Sequence, residues 1–250
     1  MILRDVIIDS DPYPAPIELF HSSVVCIWVH YTKRLPRIQT RSVWRIRVLF
    51  SQEVAEAKIA SAVLGVMDVF VPFEFGNYAA ASEREKKRLA LDALHSGVIA
   101  VGKECGLALE LFEQTYRAVL DDDITYISEI RKPHSLNRKL GITAIPKCEL
   151  KTNCARYYIE FLDRNGIVVL TEELFCTIPM GIFDTKKFLH ALKWVGTNEV
   201  VVVSVVEKDE MIPNLFSNIV TYSVAESISY DVVTHADGNQ SLVVIHVPFS

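Results

Sequence analysis

The sequence predicts an α+β protein, with antiparallel β-hairpins or sheet at both ends and a helical hairpin between them. Three observations predict it. Runs rich in Val, Ile and aromatic residues lie before residue 50 and after residue 150, and such residues suit a pleated, half-buried surface. Between them, "SEREKKRLALDALHSGVIAVGKECG" has the start, the spacing and the stop of an amphipathic helix. Strands are also segregated from helices along the chain instead of alternating with them, which separates α+β from α/β.

Glu18–Tyr31 ("ELFHSSVVCIWVHY") and Arg37–Phe50 ("RIQTRSVWRIRVLF") read as two strands of a hairpin joined across "TKRLP". In the second strand, alternation puts Ile38, Trp44, Ile46 and Val48 on one face and Arg37, Arg41, Arg45 and Arg47 on the other. Gln52–Leu64 has helix-compatible spacing, and "VMDVFVPFEF" reads as a strand ending at Gly76-Asn77. Ser82 then stands as an N-cap with Glu85 in the capping-box position. At about 100° per residue, Ala90, Leu91, Leu94, Val98, Val101 and Cys105 fall on one stripe, and Gly106 stops the helix. A second helix follows in "LALELFEQTYRAVLDDD", with Leu109, Phe112, Tyr116 and Val119 facing inward.

After the polar stretch Arg131–Gly141 the pattern becomes β-rich. Asn153–Asp163 and Ile167–Thr177 form a hairpin about "RNG", and Ser227–His235 and Ser241–Phe249 form another about "ADGN". Asp184 is placed to cap a short helix, and Glu199–Glu207 reads as a buried strand. Two regions result, residues 1–134 and 142–250, with one continuous domain as the alternative.

No apolar run approaches the ~18–20 residues of a membrane span, although mean hydropathy is +0.22. The N-terminus lacks a basic flank followed by an apolar core. The expectation is a cytosolic protein that does not use a membrane as partner. Its five cysteines (Cys26, Cys105, Cys148, Cys154 and Cys176) lack metal-like spacing. His95 and Cys105 lie ten positions apart on one helix, about 15 Å along its axis, too far for a nucleophilic dyad. The triplet Asp121-Asp122-Asp123 reads as a solvated turn, because consecutive residues do not converge on one centre. Walker loops, nucleophile elbows, dinucleotide fingerprints and zinc-protease spacings are all absent. We therefore expect no metal and no cofactor, single out no catalytic residue, and take an enzyme as the less favoured reading.

Charge is distributed unevenly. Leu19–Gln52 holds six bases and no acid, a segment charge of +6, whereas Val195–Ser250 holds one base and seven acids, or −6. The net charge of −5 argues against a nucleic-acid partner. Two segments, "VFVPFEFGNYAAASEREKKRLALDALHSGV" (Val69–Val98) and "FLHALKWVGTNEVVVVS" (Phe188–Ser204), resemble a broad set of small cytosolic bacterial proteins, some of them like the immunity proteins of toxin systems. That resemblance brings no functional residue with it. It implies a protein that binds and blocks a protein partner.

Two functional expectations follow. One is a cytosolic binding protein of immunity type that meets a basic toxin domain, with Glu207, Asp209 and Glu210 as contacts in the exposed connection "EKDEMIPN". The alternative is a small-molecule or nucleotide-handling enzyme that holds an anionic ligand with Arg37, Arg41, Arg45 and Arg47. Oligomeric state is left open.

Overall fold

The computed structural model describes residues 1–11, 17–130, 135–177, 191–195, 199–205, 230–234 and 240–246. The chain divides into two compact units, Met1–Tyr126 with Leu150–Asn153 and Ile127–Glu149 with Cys154–Ser250. Helices and sheets are both extensive, and the class is α+β.

The first unit is built on the sheet order β2-β4-β6-β5. Strands β2 (Asp5–Ser10), β4 (Arg45–Ser51) and β6 (Val66–Pro72) run parallel, and β5 (Lys58–Val63) pairs antiparallel with β6. A two-stranded ribbon of β1 (Ile2–Leu3) and β3 (Ile38–Gln39) lies beside it in sequence. The N-terminal hairpin expected from sequence is therefore replaced. Glu18–Tyr31 belongs to helix α1 (Ile17–Arg34), the crossover between the parallel strands β2 and β4. Its residues Val24–Ile27 and Val29–Tyr31 are all buried. A helix buried around most of its circumference shows no amphipathic stripe and cannot be told by periodicity from a buried strand.

Gln52–Leu64 is likewise not a helix. It turns back as β5 because Leu64 (φ +50°) and Gly65 (φ +82°) make a two-residue hairpin turn with β6, and paired positive φ values match the strand twist. The register places Val6, Ile8, Ile46, Val48, Phe50, Met67, Val69 and Val71 on one buried face. Helices α1 and α3 (Glu83–Glu104) pack there. At its upper edge Phe20, Phe50, Phe73, Phe75 and Tyr78 form an aromatic cluster with centroids 4.3–6.1 Å apart.

The helical hairpin is present as α3 and α4 (Leu109–Asp121), preceded by a short α2 (Phe75–Ala80). Ser82 and Glu85 form the full capping box. Ala90, Leu91, Leu94, Val98 and Val101 are buried, and Gly106 sits at φ +61° where the helix stops. Cys105 departs from the stripe: it is the half-exposed C-cap. Ser82→Ala is expected to lower stability by about 1 kcal/mol, read from urea unfolding, because the Glu85 amide loses its side-chain acceptor while the amide of residue 82 keeps the Glu85 carboxylate.

In the second unit, one sheet has the order β11-β10-β9-β7, with β8 also on β9. These strands are β7 (Tyr126–Glu129), β8 (Ser135–Asn137), β9 (Ile142–Leu150), β10 (Ala155–Leu162) and β11 (Val168–Thr177). The β10–β11 hairpin falls where the sequence places it. Asp163 Oδ1 accepts from the amides of Asn165 (2.8 Å) and Ile167 (2.9 Å), and Gly166 takes φ +78°. Two register shifts leave Val169 and Leu174 as extra residues on β11, and such bulges on an end strand disfavour further strand pairing. The other sheet, order β12-β13-β15-β14, is wholly antiparallel: β12 (Ala191–Val195), β13 (Glu199–Val205), β14 (Tyr230–Thr234) and β15 (Gln240–His246). The last hairpin agrees with the sequence pattern. Trp194 links the two sheets, donating to the Ser135 carbonyl at 3.0 Å and meeting Phe161 edge-on. Asp184 and its expected helix lie outside the described residues.

Candidate functional site

The expected arginine face is divided. Arg37 precedes β3 and Arg41 lies in the β3–β4 connection, both exposed. Arg45 and Arg47 alone occupy β4, on the face opposite the helices. The parallel register sets acids beside them: Asp5 opposite Arg45 and Asp68 opposite Arg47. Arg45 meets Asp5 at 2.6 Å, and Arg47 makes a two-pronged pair with Asp68 at 2.9 and 2.6 Å. Ser61 donates to the same carboxylate at 3.0 Å, and Asp9 lies 3.9 Å from Arg47 and 3.3 Å from His21. Arg47 and Ser61 together hold the Asp68 carboxyl below its usual range, against the opposing effect of burial. An anion approaching this face would compete with three carboxylates already in place. The missed signal was the acids of "DVIIDS" and "MDVFV", which alternate in phase with the arginines once the strands are parallel.

The histidines of α1, His21 and His30, do not share a partner. They point to different carboxylates: Asp9 for His21 and Asp122 for His30. Asp122 Oδ2 accepts from His30 Nε2 at 2.8 Å and Arg34 Nε at 2.8 Å. The acidic triplet thus contains a half-buried clamp at its centre, with exposed Asp121 and Asp123 on either side.

A groove of about 600 Å³ lies between the strand β5 region, α3 and α4. Glu56 and Ile59 form one wall, Ile99 and Glu104 the α3 side, and Glu113 the α4 side, with His95 set between the helices. Glu56, Glu104 and Glu113 are exposed carboxylates, and Lys103 is the one cation of the lining. His95 lies 3.3 Å from Glu113 through Nε2 and 3.2 Å from the Tyr31 hydroxyl through Nδ1. Because Glu113 accepts, Nε2 carries the proton and Tyr31 donates to Nδ1. The imidazole stacks on Tyr116 at 4.3 Å, and Tyr116 donates to Asp92 at 2.6 Å while accepting from Arg88 at 2.7 Å. Burial lowers the His95 pKa despite the pull of Glu113, so the ring is neutral at pH 7. Burial and the Asp92 hydrogen bond push the Tyr116 phenol up to about 12.

Tyr31, Arg88, Asp92 and Glu113 were not singled out from sequence. Their only local signal is helical spacing, and the cluster exists because α1, α3 and α4 meet. His95 and Cys105 are not brought together, since His95 turns to Tyr31 and Glu113. Burial raises the pKa of the Cys26 thiol to about 12, which makes it inert. Glu207, Asp209 and Glu210 lie outside the described residues. Among the described residues no group of three or more His, Cys, Asp or Glu is placed to hold a metal ion, and no helix is long and apolar enough to cross a membrane.

What the fold and site define is an α+β chain with an acid-lined groove in its N-terminal unit. No family model, no curated protein and no solved structure matches the chain.

Proposed function

We propose that the protein binds and neutralises a basic protein partner, in the manner of an immunity protein. The observation that carries this reading is the groove: three exposed carboxylates, Glu56, Glu104 and Glu113, line it against one lysine, alongside Ile59 and Ile99. That charge balance suits a segment that presents Lys or Arg side chains to the carboxylates. The acidic C-terminal quarter, with Glu207, Asp209 and Glu210, adds attraction of the same sign.

The test is co-expression with the product of an adjacent gene that arrests growth alone. Wild-type protein restores growth and forms a stoichiometric complex. Glu56→Lys, Glu104→Lys and Glu113→Lys together lower the association rate by about tenfold at low salt, and by less at high salt, as steering by rim charges requires. Unchanged association after reversing these three and Glu207, Asp209 and Glu210 would remove the acidic docking reading.

A further inference from the structure

The tip of the β5–β6 hairpin is apolar and unpacked. Leu64 is 93% exposed and Val63 60%. Leu64 takes φ +50° beside Gly65 at φ +82°, in a turn whose first position normally favours Asn. Neither packing nor backbone preference accounts for a leucine there. The tip is nonetheless braced: Trp44 Nε1 donates to the Leu64 carbonyl at 2.9 Å, and a Cβ on Gly65 would overlap the Trp44 ring.

Three arginines lie on the chain segments that adjoin this end of the sheet. The Arg4 amide donates to the Trp44 carbonyl and the Trp44 amide to the Gly65 carbonyl, both at 2.8 Å, so Arg4, Trp44 and Gly65 form one row across the sheet. In the antiparallel β1–β3 pair, Ile2 meets Gln39 and Leu3 meets Ile38, and Arg4 and Arg37 adjoin the Leu3–Ile38 pair in sequence. Arg41 adjoins Ser42, whose carbonyl lies 3.1 Å from where a Gly65 Cβ would be. All three arginines are exposed, and among the described residues none has an ion-pair partner. The acid of this row's neighbour, Asp5, is engaged by Arg45.

Against the sequence expectation of no membrane partner, which rested on the lack of a spanning segment, we propose that this end of the N-terminal sheet is a peripheral docking surface for an anionic lipid bilayer. Leu64 and Val63 enter the boundary between headgroups and acyl chains, and Arg4, Arg37 and Arg41 meet lipid phosphates. A protruding aliphatic tip gains most where it can enter a fluid apolar phase, and binding there scales with buried apolar area plus attraction to anionic lipid. A stable protein interface needs roughly 800 Å² per partner with a packed centre, and nucleic acid offers phosphates but little to a leucine. The contact is superficial, and it is independent of the acidic groove.

Sedimentation of the full chain with vesicles of 70:30 phosphatidylcholine:phosphatidylserine tests this. Wild-type protein sediments with them, is released by high salt, and ignores phosphatidylcholine alone. Leu64→Asn suits the turn, so it keeps or raises Tm while lowering partitioning about tenfold. Arg37→Ala with Arg41→Ala lowers it about 25-fold, at about fivefold per charge. Absence of wild-type sedimentation overturns the proposal, as does sedimentation that Leu64→Asn leaves unchanged. Retention on polyglutamate or heparin beads without vesicle binding likewise overturns it, and assigns the arginines to an acidic macromolecule.

Discussion

Asp122→Ala is expected to destabilise the protein by about 2–3 kcal/mol, because it strips the acceptor from a buried imidazole and a guanidinium together. His30 is 3% exposed, its Nε2 lies 2.8 Å from Asp122, and its Nδ1 is buried without a hydrogen-bond partner among the described residues. Arg34 Nε reaches the same oxygen from one turn further along α1. The clamp also sits just before Asp123 and Ile124, two non-glycine residues at φ +50° and +51°, a backbone state that persists only where its surroundings hold it. Asp122→Asn keeps a carbonyl acceptor and should cost less than half as much. Urea unfolding of the three proteins at pH 7.5 measures the difference. Equal losses for Ala and Asn would mean that charge, and not the acceptor, holds the clamp.

The same groups predict how stability varies with pH. Burial lowers the pKa of both His30 and His95, and the nearby carboxylates offset this only in part. An unfolded histidine takes up its proton near pH 6.5, whereas these two resist protonation until lower pH. The unfolded state therefore binds more protons, and stability falls as pH drops below about 6.5 toward the folded values. Asp122 acts in a different window. Burial opposes its charge, but hydrogen bonds from His30 and Arg34 outweigh that effect and depress its pKa. Its contribution persists above the unfolded value, about 3.9, and is lost as pH falls through the folded one. Unfolding free energy should thus decline in two stages, and His30→Gln with His95→Gln should flatten the upper one.

Gly97→Leu is expected to prevent folding or to cost more than about 3 kcal/mol, the upper range for overpacking a core. Gly97 lies on α3 where the helix presses on the sheet. A Cβ there would stand 2.7 Å from Val48 Cγ1 and 3.0 Å from Val71 Cγ1. Both valines are fully buried on adjacent parallel strands, and β-branched side chains have little rotamer freedom to yield. Gly97→Ala sets two effects against each other: about 1 kcal/mol of helix propensity gained and roughly 1–3 kcal/mol of overpacking lost. We expect overpacking to win by about 1 kcal/mol. A rise in Tm for Gly97→Ala would show that the helix can lift from the sheet at little cost.

Much of the fold was legible because its signals are local. Ser82 and Glu85 cap α3 through groups three residues apart, Gly106 ends it, and Asp163 with Gly166 turns β10 into β11. The misread elements share a different cause. α1 carries β-branched and aromatic residues on nearly every side and is buried on nearly every side, so neither propensity nor period revealed a helix. β5 has helix-favouring alanines and glutamates just before and within it, yet the Leu64-Gly65 turn commits it to pairing with β6. Once α1 replaced the first strand, the arginine face could not survive. Arg45 and Arg47 found acids on parallel neighbours that no local pattern connects to them, and Arg37 and Arg41 fell elsewhere.

The sequence by itself determined the α+β class, the capped helical hairpin, the C-terminal hairpins and the uneven charge. Each of these depends on residues within a few positions of one another or on composition. Only the tertiary structure decided that the N-terminal strands run parallel, that Asp122 joins His30 and Arg34, and that Glu56, Glu104 and Glu113 share a groove. Those pairings span many positions, and burial and register, which no short stretch of chain encodes, set them.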